Sequence, residues 1–518
     1  MKIRIYFFYG LLILGFLLLT GRLVELQIIL GARNRQLAEG NRIKKIMVPA
    51  PRGIIYGRSD QPLVRNVPVY RLCPDETDCQ TITREEALKL EAAGQTGELK
   101  TNIGRAYLYG PALSAALGYL GEANEEEVKN GQRELGDLLG RAGIEQRYDA
   151  ILRGKDGGEL IEVDARGRQI RAIGQIAPES GKDLQLTLDA KLSQVAYNAL
   201  EGKKGAVVVS EVKTGQILVL VSSPSFDPEK ITAKDLTGPD QPMFNRAIAG
   251  AYPPGSTFKI VTTAAGVEEG KIDQNTLFED TGQITVGDYT YRNWYFTQYG
   301  KTEGKIDVVR AIKRSTDTFF YKVGEWVGPE KLMAWAREFG LGKQTGIDIG
   351  GEAAGLVPDP TGQRWFLGNT YHVAIGQGDL LTTPLQVNLM TAAIANGGKL
   401  CQPTIVNSQL QNPNSKSECQ DLKLKPETLR LIKEGMKAVC ATGGTAFPLF
   451  DFNPQVACKT GTAEFGDPQN RTHAWLTAFA PVDDPEISVT VLVEAGGEGS
   501  YVAAPIAKKV LEQYFKVD

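Results

Sequence analysis

The run Gly205-Ala-Val-Val-Val-Ser-Glu-Val212 is followed, across Thr214-Gly215, by Gln216-Ile-Leu-Val-Leu-Val-Ser222. Two runs rich in Val, Ile and Leu about a Thr-Gly turn predict a β-hairpin. Just before it, Leu184 to Asp189 reads as extended and Ala190 to Leu200 as helical. Three further strand-like runs come near the end of the chain, at Gln455 to Glu464, Ala474 to Ala480 and Glu486 to Val493, with a helix from Ala503 to Phe515. This pattern predicts an α+β domain. One antiparallel sheet has its first two strands early and its last three late, terminal helices cover it, and a helical insertion lies between the halves. A cleft at the sheet edge is the natural site.

Inside the insertion stands Ala251-Tyr-Pro-Pro-Gly-Ser-Thr-Phe-Lys259, running into Ile260-Val-Thr-Thr-Ala-Ala-Gly266. Pro253, Pro254 and Gly255 resist helix formation and the apolar spacing after them is helical, so a helix is expected to begin near Ser256. Lys259 then lies one turn on, on the same face. A serine becomes a nucleophile when a neighbouring base takes its proton. A lysine can do so only when neutral, which requires burial or nearby cations to lower a pKa of about 10.4. Ser-x-x-Lys alone arises by chance in a chain this long, so other stretches must support it.

Two do. Ala311-Ile-Lys-Arg-Ser315-Thr-Asp317-Thr-Phe-Phe-Tyr321 places Ser315 and Asp317 between a helical and an aromatic stretch. Ser315 suits proton transfer between Lys259 and a leaving group, and Asp317 suits holding a lysine or a substrate amide, a helix cap being the plain alternative. Val456-Ala-Cys-Lys459-Thr-Gly-Thr462-Ala-Glu464 is a strand interrupted by Gly461, where another backbone can approach closely. An extended peptide can pair along such an edge at Thr460, Gly461 and Thr462. Lys459 is expected to be the second cation that lowers the Lys259 pKa, and the N–H groups of Ser256 and Thr462 form a candidate oxyanion hole. Because a carboxylate beside Lys259 would favour its ammonium form, Asp317 is expected to face Lys459 or the substrate.

Composition narrows the alternatives. The chain has 518 residues, 42% of them hydrophobic and 23% charged, which suits a globular protein of several domains. A net charge of -3 gives no reason to expect a nucleic-acid partner. With two histidines, His372 and His473, and no HExxH or CxxC spacing, no metal and no cofactor is expected. The six cysteines fall as three close pairs, Cys73 with Cys79, Cys401 with Cys419 and Cys440 with Cys458, which suits disulfides between neighbours in an oxidising compartment.

Ile5 to Gly21 is uncharged and apolar. As a helix it spans about 25 Å, slightly short of a ~30 Å hydrocarbon core. It reads as a retained membrane anchor rather than a cleaved signal, because no small-x-small site follows it. Lys2 and Arg4 are balanced by Arg22, Arg33, Arg35 and Arg42, so basic residues alone do not orient it. Cysteine usage and the chemistry place the bulk outside the cytoplasm. Leu23 to Val48 reads as mixed and helical, and Pro49-Ala-Pro51 marks a boundary. From there to Lys182 short strand-like runs alternate with glycine turns and two acidic helical pieces, Glu85 to Ala93 and Glu122 to Leu139. The chain thus divides into a tail and anchor (1–22), a juxtamembrane segment with a β-rich domain (23–182) and a catalytic domain (183–518).

The order Ser-Thr-Phe-Lys, Ser-Thr-Asp, Lys-Thr-Gly-Thr resembles the penicillin-recognising serine acyltransferases. Pro51-Arg-Gly-Ile-Ile55, Gly143-Ile-Glu145, Tyr252-Pro-Pro-Gly-Ser256, Ile375-Gly-Gln-Gly378, Thr383-Pro-Leu-Gln386 and His473-Ala-Trp475 extend the likeness, over nearly the whole chain, to class B penicillin-binding proteins. Asp317 where asparagine is common, with Phe319-Phe-Tyr321 after it, is most similar to the elongation-type branch, penicillin-binding protein 2.

The resemblance implies a transpeptidase fold, a five-stranded antiparallel sheet with helices on both faces, preceded by a transmembrane helix and a β-rich pedestal that is short between Val69 and Tyr107. It implies a peptidoglycan D,D-transpeptidase in which Ser256 attacks the penultimate D-alanine of a stem peptide, and which β-lactams acylate. A polytopic glycan-polymerising membrane partner is implied as well. The alternatives are a β-lactam-binding sensor or scaffold, a serine β-lactamase, for which no Glu-x-x-Leu-Asn appears between Asp317 and Lys459, and a Ser-His-Asp hydrolase using His473, for which no Gly-x-Ser-x-Gly surrounds Ser256.

Overall fold

The computed structural model describes residues 2–34, 43–74, 79–94, 99–130, 137–164, 169–362, 364–407 and 418–517. The chain forms two compact units. One is Met1–Gly53 with Asn66–Gly104 and Ala150–Lys182, and the other is Ile54–Arg65 with Arg105–Asp149 and Asp183–Asp518.

In the first unit the helix Lys2–Val24 continues as a π turn over Glu25–Ile29. Ile3–Ile29, 27 residues with a mean hydropathy of 2.0, is long and apolar enough to cross a bilayer. The helix starts before Ile5 and ends beyond Gly21, so the expected shortfall in length disappears: 23 residues rise about 34 Å. Ile43–Val48 is a strand, contrary to the helical expectation, and pairs antiparallel with Gly157–Val163, which pairs in turn with Gln169–Ile176. Ile43, Ile46 and Val48 are β-branched, and their ladder partner lies over a hundred residues away, out of reach of a local reading. The first acidic piece is a helix, Arg84–Ala92, started by a reciprocal Thr83–Glu86 capping box.

Among the described residues, the second acidic piece, in the second unit, is helical over Glu125–Lys129, where Asn124 and Glu127 form a capping box. It lies between the paired strands Leu120–Glu122 and Leu138–Gly140. Asn130 caps its end; residues 131–136 of the expected piece lie outside the described residues.

The second unit is built on the expected five-stranded sheet. Its order is Ile217–Ser223, Gly205–Glu211, Ile487–Val493, Thr472–Ala480, Ala457–Glu464, with every neighbour antiparallel. Ala190–Ala199 and Ala503–Phe515 cover one face and Pro384–Ala395 the other. With both faces covered, Ile217–Ser223 and Ile487–Val493 are buried at every position, which explains why they read as continuous apolar runs rather than alternating ones. Pro384–Ala395 is buried all round. Asn388 on this helix accepts from Ser210 Oγ (2.6 Å) and donates to Val208 O (3.2 Å) and Ser488 O (3.0 Å), fixing the helix to the strand that bulges at Val209/Ser210. All six cysteines pair with their neighbours in sequence, as expected.

Candidate active site

Ser256 sits in a 3₁₀ turn, Gly255–Phe258, which passes directly into the helix Lys259–Glu268. The backbone before it is fixed from several sides. Trp475 Nε1 donates to Pro253 O (2.9 Å), Tyr252 exchanges two main-chain bonds with Thr382 (2.9 and 2.8 Å), and Gly255 N–H donates to Gly376 O (2.8 Å). Gly255 has φ +53°, and a Cβ there would lie 3.1 Å from both Ala463 Cβ and Thr462 O, so the turn rests against the edge strand Ala457–Glu464. From Tyr252 to Val267 every residue except Ser256 is buried. Ser256 is thus the residue of this segment most open to an incoming molecule.

Behind it lie two fully buried lysines. Lys259 Nζ donates to Ser315 O (2.8 Å), Ser315 Oγ (3.1 Å) and Asp317 Oδ1 (2.6 Å). Lys459 Nζ donates to Ser315 Oγ (2.9 Å) and Thr460 O (3.0 Å). Ser315 reaches both because it terminates the helix Val308–Arg314 in the left-handed region (φ +54°), a conformation rare for a side-chain-bearing residue and common where function holds it. Asp317 opens the next helix, Asp317–Val327, and its second oxygen accepts from Trp294 N–H (3.0 Å).

These contacts correct one expectation. Asp317 faces Lys259, not Lys459, because the kink at Ser315 turns the next helix start back over the Ser256 helix. The hydrogen-bond count follows: the amine of Lys259 has three acceptors, as an ammonium requires, and that of Lys459 has two, as a neutral amine requires. Burial lowers the Lys259 pKa, and Asp317 opposes the shift. Burial first, and then the neighbouring Lys259, push Lys459 well down. A second expectation is corrected as well: Lys459 is not what lowers the Lys259 pKa, whose first cause is loss of water, and it is the charge of Lys259 that weighs on Lys459. Among the described residues the Ser256 hydroxyl has no hydrogen bond to Lys259, whose donors are directed at Ser315 and Asp317.

Thr460, Gly461 and Thr462 lie together on the edge strand. Thr460 Oγ1 is 2.6 Å from Thr445 Oγ1, Thr462 is exposed, and a Cβ on Gly461 would lie 3.2 Å from Pro254 O. Two residues before Thr460, Cys458 is disulfide-bonded to Cys440 at the end of the helix Pro426–Val439. His473 is occupied elsewhere: Nδ1 accepts from Ala495 N–H (3.1 Å), its ring stacks on Phe465, and burial lowers its pKa to about 4.

Sequence reasoning gave no role to Gln377 or to Asn293-Trp294. Gln377 spans the main chain of Glu464. With its carboxamide oriented as these neighbours require, the nitrogen donates to Glu464 O (3.2 Å) and the oxygen accepts from Glu464 N–H (3.1 Å). Asn293 Oδ1 accepts from Asp317 N–H (3.2 Å). The two glycines around Gln377 were the available signal in the first case. Nothing local marked the second.

Comparison with known proteins agrees with this geometry. Residues 205–512 match the penicillin binding protein transpeptidase domain and residues 82–186 the penicillin-binding protein dimerisation domain. The chain is 32% identical to the peptidoglycan D,D-transpeptidase MrdA of Escherichia coli, over 96% of this chain and 92% of that one. It is 31% identical to the protein of the same name from Acinetobacter baumannii, over 99% and 87%. Among solved structures it is similar to penicillin-binding protein 2 of Helicobacter pylori in complex with MreC (TM-score 0.79, 29% identity, 92% of this chain and 99% of that one). It is also similar to penicillin-binding protein 2 of Pseudomonas aeruginosa in complex with WCK 5153 (TM-score 0.73, 30% identity, 92% and 97%). A chain from a peptidoglycan synthase complex gives a TM-score of 0.81 at 30% identity, covering 99% of both. A family match over more than half its length, joined to a buried two-lysine site beside an open strand edge, shows that this chain belongs to the penicillin-binding protein transpeptidases, on the penicillin-binding protein 2 branch.

Proposed function

We propose that this chain is a peptidoglycan D,D-transpeptidase with Ser256 as its nucleophile. Ser256 Oγ attacks the penultimate D-alanine carbonyl of a stem peptide, the terminal D-alanine leaves with a proton, and an amine of a neighbouring strand then takes the acyl group and restores the serine. The N–H groups of Ser256 and Thr462 receive the developing oxyanion, and such a donor contributes about 2.7 to 4 kcal/mol of transition-state stabilisation. β-Lactams acylate the same oxygen.

The observation that carries this reading is the single hydroxyl of Ser315 placed within 3.1 Å of Lys259 Nζ and 2.9 Å of Lys459 Nζ. Lys259 becomes a base by passing a proton through Ser315 to Lys459, while Asp317 holds it charged at rest. Thr460, Gly461 and Thr462 bind the ligand backbone and its terminal carboxylate.

The functional division we infer is an anchor over 1–22, a pedestal over 23–182 and a transpeptidase over 183–518. The apolar N-terminal helix and the three disulfides support a single-pass protein whose catalytic unit faces the extracytoplasmic side. The similar chain from a peptidoglycan synthase complex that coordinates polymerization and crosslinking supports a polytopic glycan-polymerising membrane partner.

Mass spectrometry after labelling with penicillin tests the chemistry. The expected result is one adduct on the peptide holding Ser256, absent in Ser256→Ala, together with cross-linked dimers formed from peptidoglycan precursors. An adduct elsewhere, or labelling without any cross-link, overturns the reading.

A further inference from the structure

We propose that Gln377 is a positioning and specificity-determining residue, whose carboxamide occupies the main chain of Glu464 as a neighbouring strand would, so that the edge strand offers a ligand one main-chain pair, at Thr462. The proposal rests on the Ser256 reading above and adds the length of ligand backbone that the site can hold.

In an antiparallel ladder each residue presents its N–H and C=O to the same side, and successive residues alternate. Gln377 takes both groups of Glu464, so Glu464 faces away from the sheet. Counting back by two, Thr462 and Thr460 face the same open side. Thr460 O already accepts from Lys459 Nζ (3.0 Å). Between Thr460 and Glu464, Thr462 is then the residue on that side with neither main-chain group engaged.

A ligand residue laid antiparallel opposite Thr462 donates its N–H to Thr462 O and places its carbonyl at Thr462 N–H, beside Ser256. Its C-terminal neighbour runs toward Thr460. The residue two positions on its N-terminal side would come opposite Glu464, where Gln377 already sits. The donor backbone is therefore read at the reacting residue and must turn off the strand before the next pair.

The same loop also holds the nucleophile turn. Gly376 O accepts from Gly255 N–H at 2.8 Å, and a Cβ on Gly376 (φ +77°) would stand 2.1 Å from Gly255 O. Two consecutive residues thus tie Ser256's turn and the strand end to one another.

The test uses the full chain, with Gln377→Ala and Gln377→Glu, and two D-alanyl thioester donors extended by two residues on the N-terminal side of the attacked D-alanine. One is unmodified. The other is N-methylated at the amide that would face Glu464 O. With wild type, kcat/KM for the two is expected to agree within about twofold, because that pair is closed to both. In Gln377→Ala the unmodified donor is expected to win by about fivefold, because only it can bond the freed Glu464 carbonyl. Gln377→Glu, whose carboxylate cannot donate to that carbonyl, should fall between. Equal rates for the two donors in both variants, with Ser256 still labelled by penicillin, overturn the proposal. Failure of the wild-type chain to be labelled at Ser256 overturns the underlying reading instead.

Discussion

The Lys259 amine rests 2.6 Å from Asp317 Oδ1, and its other two N–H directions end on Ser315. The group expected to take a proton from Ser256 thus faces a carboxylate that favours its protonated form, which has no lone pair to accept one. Burial lowers its pKa below the ordinary 10.5 and the carboxylate opposes that shift. Acylation by penicillin should therefore rise with pH along a limb below 10.5. Asp317→Asn removes the opposing charge, so the limb should move to lower pH. Single-turnover acylation measured across pH checks the direction; a limb moving upward would contradict it.

The same shifts bear on stability. Both buried lysines bind protons less readily folded than unfolded, so unfolding takes up protons between the lowered value and 10.5. Denaturant midpoints of the catalytic unit should rise as pH climbs through that window. Lys459→Met, which keeps an apolar stem of similar length, should flatten the dependence. It should also slow acylation by roughly 10² to 10⁴, as expected when a proton-transfer group is lost.

Gly376→Ala should injure the nucleophile without disturbing the sheet. The new methyl meets Gly255 O at 2.1 Å, and the φ of +77° is itself strained for alanine. A cost of about 1 to 3 kcal/mol follows from the backbone alone. We expect penicillin labelling to drop at least tenfold with far-ultraviolet circular dichroism unchanged.

Asn388→Ala separates stability from chemistry. It leaves the buried Ser210 Oγ without its amide partner, at about 1 to 3 kcal/mol when unmet, and removes the bonds to Val208 O and Ser488 O. The melting temperature should fall by several degrees, while the fraction still folded is acylated at the wild-type rate.

Much of this was legible in the residues because the signals are local. Three of the five strands, Gly205–Glu211, Ile217–Ser223 and Ile487–Val493, announce themselves as runs of Val, Ile and Leu, and Ala503–Phe515 as a helix between turns. Ser256, Lys259, Ser315 and Lys459 could be singled out because each lies in a short motif, and the Ser315 hydroxyl lies within hydrogen-bond reach of both lysines. What was missed depends on distant partners. Ile43–Val48 becomes a strand only through Gly157–Val163. Asp317 turns to Lys259 only because Ser315 adopts a left-handed conformation that a serine does not advertise. Gln377 acts on a strand nearly ninety positions later, so no spacing rule reveals it.

The burial of every residue from Tyr252 to Val267 except Ser256 limits how such a target can drift under antibiotic pressure. A change anywhere along that segment disturbs close packing before it can discriminate between a drug and a natural donor. Escape that preserves cell-wall growth is thereby confined to the rim, where Thr462, Glu464 and Gly378 stand exposed.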